Sequence, residues 1–394
     1  MITVIGLDGT ALAPDASRAL ASARLVVGAR RHLDSVPLPA GTRTAVLGDL
    51  SSGLDALAAH EGDAVVLASG DPGFFGIVRA LRERGWDLQV VPAVSSVAQA
   101  FARAGMSWDD ALVVSAHGRD LRPAVNACRA HAKVAVLTTS GAGPAELAAA
   151  LAGVPRTLHV AERLGTPEER VVVCTPAEAA TRTWHDPNVV LVLAAGAVTP
   201  RGWLWPGPVT PAGWALPDDA FEHRDSMVTK AEVRAQVLAW LGPGTGSLVW
   251  DVGAGSGSVA VECARFGAAV VAVDRDAEQC AHVEKNAARH DVQVEVVHGE
   301  ALAALPDLPD PDAVFVGGGG PEVVAAVAAR RPARVVVALV ALERVGVTAD
   351  ALTAAGYAVE GMQLQASRLA QLPDGTHRLA ATNPVLLLCG RWVG

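Results

Sequence analysis

The chain has 394 residues, 51% of them apolar and 19% charged, with a single tyrosine and six phenylalanines. That length suits two ordinary domains, and the balance excludes a disordered chain while supplying aliphatic cores for strands buried on both faces. The net charge of −9 lacks the basic face of a general nucleic-acid binder, so no nucleic-acid partner is expected.

The start of the chain carries no basic leader, and no apolar run approaches the ~18 residues of a membrane span. A cytoplasmic protein without a membrane partner is therefore expected, with a homo-oligomer as its assembly. Cys128, Cys174, Cys263, Cys280 and Cys389 are scattered without a C-x-x-C pair. They read as reduced core thiols, and no metal is expected.

In chain order, apolar strand patterns fall at residues 2–6, 25–27, 64–68, 88–91, 111–115, 134–137, 157–161 and 189–193. Helical patterns lie between them. The stretch TPRGWLWPGPVTPAGWALPD then breaks both periodicities with proline and glycine, and its Trp203, Trp205 and Trp214 predict packing on a domain surface. Beyond it, strands are predicted at 248–252, 270–274, 292–297, 312–316 and 334–340, each followed by a helix. The reading is a domain over 1–198, a linker over 199–217 and a second domain over 218–394. Alternating βα units predict parallel sheets with right-handed crossovers. The last two runs, 358–365 and 385–392, have no helix between them and are expected to pair as an antiparallel edge.

In the second domain, the strand at 248–252 runs into Gly253, Ala254, Gly255, Ser256 and Gly257 and then a helix. Glycines here let the backbone approach a ligand, with helix amides aimed at it. The spacing is G-x-G-x-G, not the dinucleotide G-x-G-x-x-G. Asp274, at the end of the next strand, is placed to accept hydrogen bonds from ribose hydroxyls. This pattern suits S-adenosylmethionine, with a nicotinamide dinucleotide as the competing ligand. Thr229 to Glu232 have capping-box spacing before a helix over 233–241, so Thr229 either caps that helix or faces the cofactor. Ala301 follows a strand end where an adenine would lie. Gly317, Gly318, Gly319 and Gly320 end the fourth strand, where backbone can lie against a flat substrate.

In the first domain, three strand-end loops are rich in glycine and small polar residues: Ala68 to Gly76 with Gly70 and Asp71, Pro92 to Val97 with Ser95 and Ser96, and Ser115 to Arg119 with His117. They predict one shared cleft, whose ligand the residues alone do not name.

Several motifs carry a resemblance. MVTKAEVR at 227–234, DVGAGSGSVAVE, PDAVFVGGGG and VALE at 340–343 resemble the decarboxylating precorrin C15-methyltransferases, with Ala341 where that family usually has threonine. GARRHL at 28–33, SGDPGFFG, VSS, SAHGR and Glu162 to Gly165 resemble the tetrapyrrole methyltransferase family, most closely its precorrin C5-methylating members. The first turn, Gly6 to Thr10, is shorter than that family's.

The resemblance implies an α/β protein: an amino-terminal tetrapyrrole-methylase fold of two α/β subdomains, then a Rossmann-like class I methyltransferase domain with a mostly parallel seven-stranded sheet. It further implies a bifunctional enzyme of cobalamin biosynthesis that methylates a precorrin at carbons 5 and 15 and decarboxylates its ring C acetate. One adenosylmethionine per domain is expected. Its contacts would be Thr229, Gly253 to Gly257, Asp274 and Ala301 in the second domain, and Gly70, Asp71, Ser95 and Ser96 in the first. A polycarboxylate substrate calls for arginines, whose planar fork matches a carboxylate. Arg31, Arg119 and Arg368 fill that place, with Gly317 to Gly319 against the ring. His117, Arg119 and Glu343 are the expected catalytic residues. The rival reading keeps adenosylmethionine but takes another small acceptor or RNA, with the first domain an inactive scaffold.

Overall fold

The computed structural model describes residues 1–47, 50–195, 213–224 and 228–394. Most of the predicted linker, with Trp203 and Trp205, lies outside the described residues. The chain divides into two compact units, one of residues 1–120 with 133–202 and one of 121–132 with 203–394. Among the described residues, no helix is long and apolar enough to cross a membrane.

The first unit holds two five-stranded sheets. The first contains β1 (Ile2–Leu7), β2 (Leu25–Gly28), β3 (Arg43–Val46), β4 (Ala64–Ser69) and β5 (Leu88–Val91), in the order β3-β2-β4-β1-β5. All its pairings are parallel. Val4, Ile5, Val26 and Val66 are fully buried, as strands covered on both faces require. The second sheet contains β6 (Leu112–Ser115), β7 (Lys133–Leu137), β8 (Arg156–Glu162), β9 (Arg170–Cys174) and β10 (Asn188–Ala194), in the order β6-β7-β10-β8-β9.

This second sheet corrects the all-parallel expectation. β10 runs antiparallel to β7 and β8, and β9 antiparallel to β8. The link from Glu162 to Arg170 is too short for a crossover, so the chain must turn straight back. Sequence patterning also missed β3 and β9. Both are edge strands: β3 is largely exposed and lacks the apolar run of a central strand, whereas β9 has a short run, Val171 to Cys174, of which only Cys174 is buried.

The second unit carries the expected seven-stranded sheet. Its strands are β11 (Leu248–Val252), β12 (Ala269–Asp274), β13 (Glu295–His298), β14 (Ala313–Val316), β15 (Arg334–Leu339), β16 (Tyr357–Leu364) and, after β17 (Ser367–Gln371) and β18 (His377–Ala381), β19 (Val385–Trp392). The order is β13-β12-β11-β14-β15-β19-β16, with the first five strands parallel. Residues alternate along β11: Leu248, Trp250 and Val252 enter one core and Val249 the other. That is the period-two pattern of a strand with a core on each face.

The two final strands of the sheet pair antiparallel as expected, but β19 inserts between β15 and β16 and leaves β16 at the edge. Between them the chain forms the hairpin β17–β18, which the sequence reading did not foresee. Leu369 and Leu379 on it are exposed, so no buried-face alternation announces it. A second correction concerns the helix Ala231–Leu241. Its N-cap is Lys230, and the amide of Ala231 donates to Asp218 Oδ1 at 2.9 Å. The capping box at Thr229 does not form: the helix takes Lys230 as its N-cap, and an aspartate from upstream holds its first amide.

Candidate functional site

At the end of β11 the backbone turns through left-handed conformations at Gly253 (φ +72°) and Gly257 (φ +71°). A Cβ on Gly253 would stand 2.7 Å from the Gly318 amide nitrogen, and one on Gly257 2.8 Å from the Val283 side chain. Glycine is the residue these positions admit. The loop is pinned from β12. The amides of Gly253 and Ala254 donate to the Val273 carbonyl at 2.9 and 3.2 Å, and the Gly255 amide donates to Asp274 Oδ2 at 2.8 Å. The second oxygen of Asp274 accepts from the Asp276 amide at 3.0 Å. Asn286, fully buried, donates to the Ser256 carbonyl at 2.8 Å and accepts from the Glu222 amide at 2.8 Å.

Neighbouring strand ends join this cradle. The Gly299 amide donates to the Asp274 carbonyl at 2.9 Å and the Gly317 amide to the Val252 carbonyl at 2.9 Å. Ala301 opens the short helix Ala301–Ala304, with Glu300 as its N-cap. The structure thus gathers Gly253 to Gly257, Asp274, Ala301 and Gly317 to Gly318 at the carboxyl edge of one sheet, where open α/β sheets bind ligands. Thr229 is half-buried, with its carbonyl held by the Arg234 guanidinium.

Sequence reasoning passed over Asp251. Its carboxyl is fully buried, Oδ2 accepts from the Ala260 amide at 2.9 Å, and Oδ1 has no partner. Burial pushes its pKa up to about 7 against the pull of the Ala260 amide, and the charge of Asp274 adds to the rise. A buried acid directly ahead of a glycine loop was the available signal.

A cavity of about 300 Å³ opens beyond β14 and β15, walled by Val316 to Pro321 and by Val337 to Ala341. Its polar side chains are Arg344, which donates to the Gly319 carbonyl at 3.3 Å, and buried Thr348. Neither was singled out from sequence. Glu343, which was, is exposed and does not line the cavity. It begins the helix Glu343–Ala354, where one step along the turn sends it and Arg344 to different sides.

Arg368 is also reassigned. Nε and Nη2 donate to the two Glu232 carboxylate oxygens at 2.7 Å each, and Nη1 donates to Asp218 Oδ2 at 2.8 Å. With its fork engaged inside the chain, it ties β17 to the start of the helix Ala231–Leu241 rather than offering itself to a substrate carboxylate.

In the first unit, a cavity of about 490 Å³ lies within the size range of small-molecule sites. It is lined by Leu7 to Leu12, Arg31, His32, Ser69, Gly70 and Ser96, and from the second sheet's side by Leu164 to Pro167 and Asn188. Ser95 caps the helix Ser96–Ala104, its Oγ accepting from the Ala98 amide at 3.1 Å. A Cβ on Gly70 would stand 3.0 Å from Ser95 Cα, so these two loops share a close approach. Asp71 lies beside Gly70, folded over the Gly73 amide at 2.8 Å. Asp8 and Gly9 of the short first turn line the cavity too. Burial works to raise the Asp8 carboxyl, but hydrogen bonds from Thr10 and the Val94 amide outweigh it and hold the pKa low.

Two of the three predicted loops therefore meet. The third does not: His117 and Arg119 are exposed and do not line this cavity. The motif Glu162 to Gly165 takes that place, with Glu162 buried and paired to Arg170 while Leu164 and Gly165 face the opening.

A model of tetrapyrrole (corrin/porphyrin) methylases matches residues 5–180, and one of a precorrin methyltransferase domain matches residues 219–387. A precorrin-6Y C(5,15)-methyltransferase (decarboxylating) of a Sinorhizobium species is 38% identical over 335 residues, covering 82% of this chain and 79% of its own. The protein of that name from Mycobacterium tuberculosis is 33% identical over 338 residues, covering 81% of each chain. A solved precorrin-6Y C5,15-methyltransferase from Geobacter metallireducens, 28% identical, covers 45% of this chain and 97% of its own with a TM-score of 0.43. Relatives at this identity over about four fifths of both chains, with both halves matched in order, place the chain in the precorrin-6Y C(5,15)-methyltransferase (decarboxylating) family.

Proposed function

We propose that this chain methylates a precorrin twice in cobalamin biosynthesis, at carbons 5 and 15, and releases one carboxyl group as carbon dioxide. Carbon 5 is assigned to the domain over 1–198, and carbon 15 with decarboxylation to the domain over 218–394. The observation that carries this division is that each unit has its own strand-end site: the cavity around Ser69 and Gly70 in one, the cradle of Gly253 to Gly257 in the other. A formed cavity in the first unit also disfavours an inactive scaffold.

The cradle suits S-adenosylmethionine on three counts. Its glycines leave no room for side chains. The two Asp274 oxygens each accept one amide and keep lone pairs for ribose hydroxyls. The carboxyl of Asp251, buried behind the loop, adds negative charge on the ligand's side of the sheet when it is ionised. When bound, adenosylmethionine supplies a methyl group on a positively charged sulfur. The chain's own work is then alignment, holding the acceptor carbon roughly 3–3.5 Å from that methyl. Arg344 in the second unit and Arg31 in the first are placed to hold substrate carboxylates. The mostly apolar wall at Val337 to Ala341 favours decarboxylation, because a carboxylate's concentrated charge is poorly solvated there and disperses as the bond breaks.

Equilibrium titration of the full chain tests the assignment. Two adenosylmethionine sites are expected per chain. Asp274→Ala should weaken one of them by about 1–3 kcal/mol, the cost of losing hydrogen bonds to a charged acceptor, and leave the other unchanged. Mass spectrometry of that variant's product should show loss of decarboxylation and carbon-15 methylation together. A single site in the wild type, or equal weakening of both, would overturn the two-site reading.

A further inference from the structure

Three side chains at one end of the first unit's cavity form a hydrogen-bonded chain that cofactor binding does not explain. Arg31 Nη2 lies 3.1 Å from Ser69 Oγ, and His32 Nε2 lies 2.9 Å from the same oxygen. A guanidinium has donors only, so Ser69 accepts from Arg31 and its own hydroxyl hydrogen is free to point at His32. The imidazole is 9% exposed, whereas Ser69 is exposed at the end of β4, where it lines the cavity. Ser69 thus presents to the cavity an oxygen backed by a ring nitrogen.

Burial first, and then the charge of Arg31, push the His32 pKa down to about 4, against the pull of the Leu67 backbone; Nδ1 itself is buried without a hydrogen-bond partner. The ring is neutral at physiological pH. The ionisable neighbours are few. Arg30, Arg31 and Asp34 share its helix, and Arg43 lies on β3, which packs against that helix. β2 and β4 carry none, and Asp8 lines the same cavity.

The reaction needs such a group, on the reading of this unit as the carbon-5 methyltransferase. Methylation carries the sulfonium's positive charge onto the macrocycle, and a bridge carbon that bore one hydrogen must lose it to restore the neutral conjugated ring. We propose that Ser69 and His32 form the relay that accepts this proton. The bridge carbon bonds to the methyl carbon as the carbon–sulfur bond breaks, that bond's electron pair remaining on sulfur as a neutral thioether. The carbon–hydrogen bond at the bridge carbon then breaks, and its pair returns to the ring. The proton goes to Ser69 Oγ while the serine's own proton passes to His32 Nε2. The imidazolium returns it through Ser69 to water after the product leaves. A substrate carboxylate paired with Arg31 offsets the charge that depresses the imidazole, so the relay becomes more basic when it is needed.

Two measurements on the full chain test this. The first needs neither substrate nor cofactor: nitrogen-15 NMR of labelled histidines, with the His32 signal assigned by its loss in His32→Gln. A neutral ring with Nε2 unprotonated is expected between about pH 5 and 8, with the midpoint moving up in Arg31→Gln. A ring protonated on Nε2 in that range would overturn the relay. The second is the rate of carbon-5 methylation in His32→Gln, whose side chain can still bond Ser69 but cannot take a proton. It should fall roughly 10²–10⁴-fold, with adenosylmethionine affinity, melting temperature, carbon-15 methylation and carbon dioxide release as in the wild type. An unchanged rate, or a loss of cofactor affinity in step with rate, would overturn the proposal. A wild type that never methylates carbon 5 would instead remove the functional assignment of this unit, and the relay with it.

Discussion

Replacing Asp251 with asparagine isolates the electrostatic cost of the cofactor cradle in the second unit. The carboxyl is fully buried, and burial lifts its pKa from 3.8 to about 7 against the Ala260 amide, with Asp274 adding to the rise. Because the folded pKa stands above the unfolded one, the folded chain holds this proton more tightly. Its stability is therefore greatest below the unfolded value of 3.8, falls as pH rises through the folded value of about 7, and is flat beyond. At about 1.36 kcal/mol per pH unit, that interval amounts to about 4 kcal/mol as an upper figure. Asparagine abolishes the ionisation, but its amide nitrogen would occupy the partnerless Oδ1 position, an offsetting cost of about 1–3 kcal/mol. The expected net is a gain of about 1–3 kcal/mol at pH ~8 and a small loss near pH ~5. Thermal melting of wild type and variant at a series of pH values reads this from the second unit's transition, with the first unit as internal control. Superimposable pH profiles would refute the reasoning. So would a variant less stable than wild type at every pH. Adenosylmethionine is a cation, so the stabilised variant should nonetheless bind it more weakly at this site.

Two further predictions concern arginines. Arg344→Leu should raise the KM for the precorrin in carbon-15 methylation by roughly tenfold, the worth of about 1.4 kcal/mol from one charge-assisted contact, while leaving adenosylmethionine affinity alone; steady-state kinetics with each substrate varied separates the two. Arg368→Ala should lower the melting temperature only modestly, since a half-exposed pair contributes about 0.2–1 kcal/mol. The hydrogen bonds from Arg368 hold Glu232 at about 2, below its ordinary 4.5, so that contribution is present above pH 4.5 and lost as pH falls toward 2. A difference from wild type that persists undiminished at the acid end would contradict this pairing.

How much was legible follows from how far apart the determinants lie in the chain. Runs such as LVWDV and AVVAVD announce central strands because each residue's face is set by period-two geometry alone. The glycine loop after β11 and the acid ending β12 were legible for the same reason: each is a property of one strand end, and parallel strands place successive strand ends on one edge. The family motifs add the chemistry that spacing cannot supply. The fold's blind spots were peripheral: β3 and the hairpin β17–β18 bury too little to need an apolar pattern, and β9 offers only a short apolar run at a sheet edge. Insertion of β19 between β15 and β16 was equally hidden, because pairing order depends on which edge is free once the parallel strands have assembled.

Side-chain partners were the least legible feature. Asp218 rather than Thr229 satisfies the helix at Ala231, Arg368 spends its fork on Glu232 and Asp218, and His32 meets Ser69 from 37 positions away. His117 and Arg119 on a strand-end loop and Glu343 at a helix start are positions that local sequence makes attractive, yet the fold turns them to solvent. The sequence by itself determined the central strands, the glycine cradle and the family, because these rest on neighbours within one turn or one strand. Only the tertiary structure decided which charges meet and which remain free, because that depends on a few ångströms of register between segments the chain brings together from far apart.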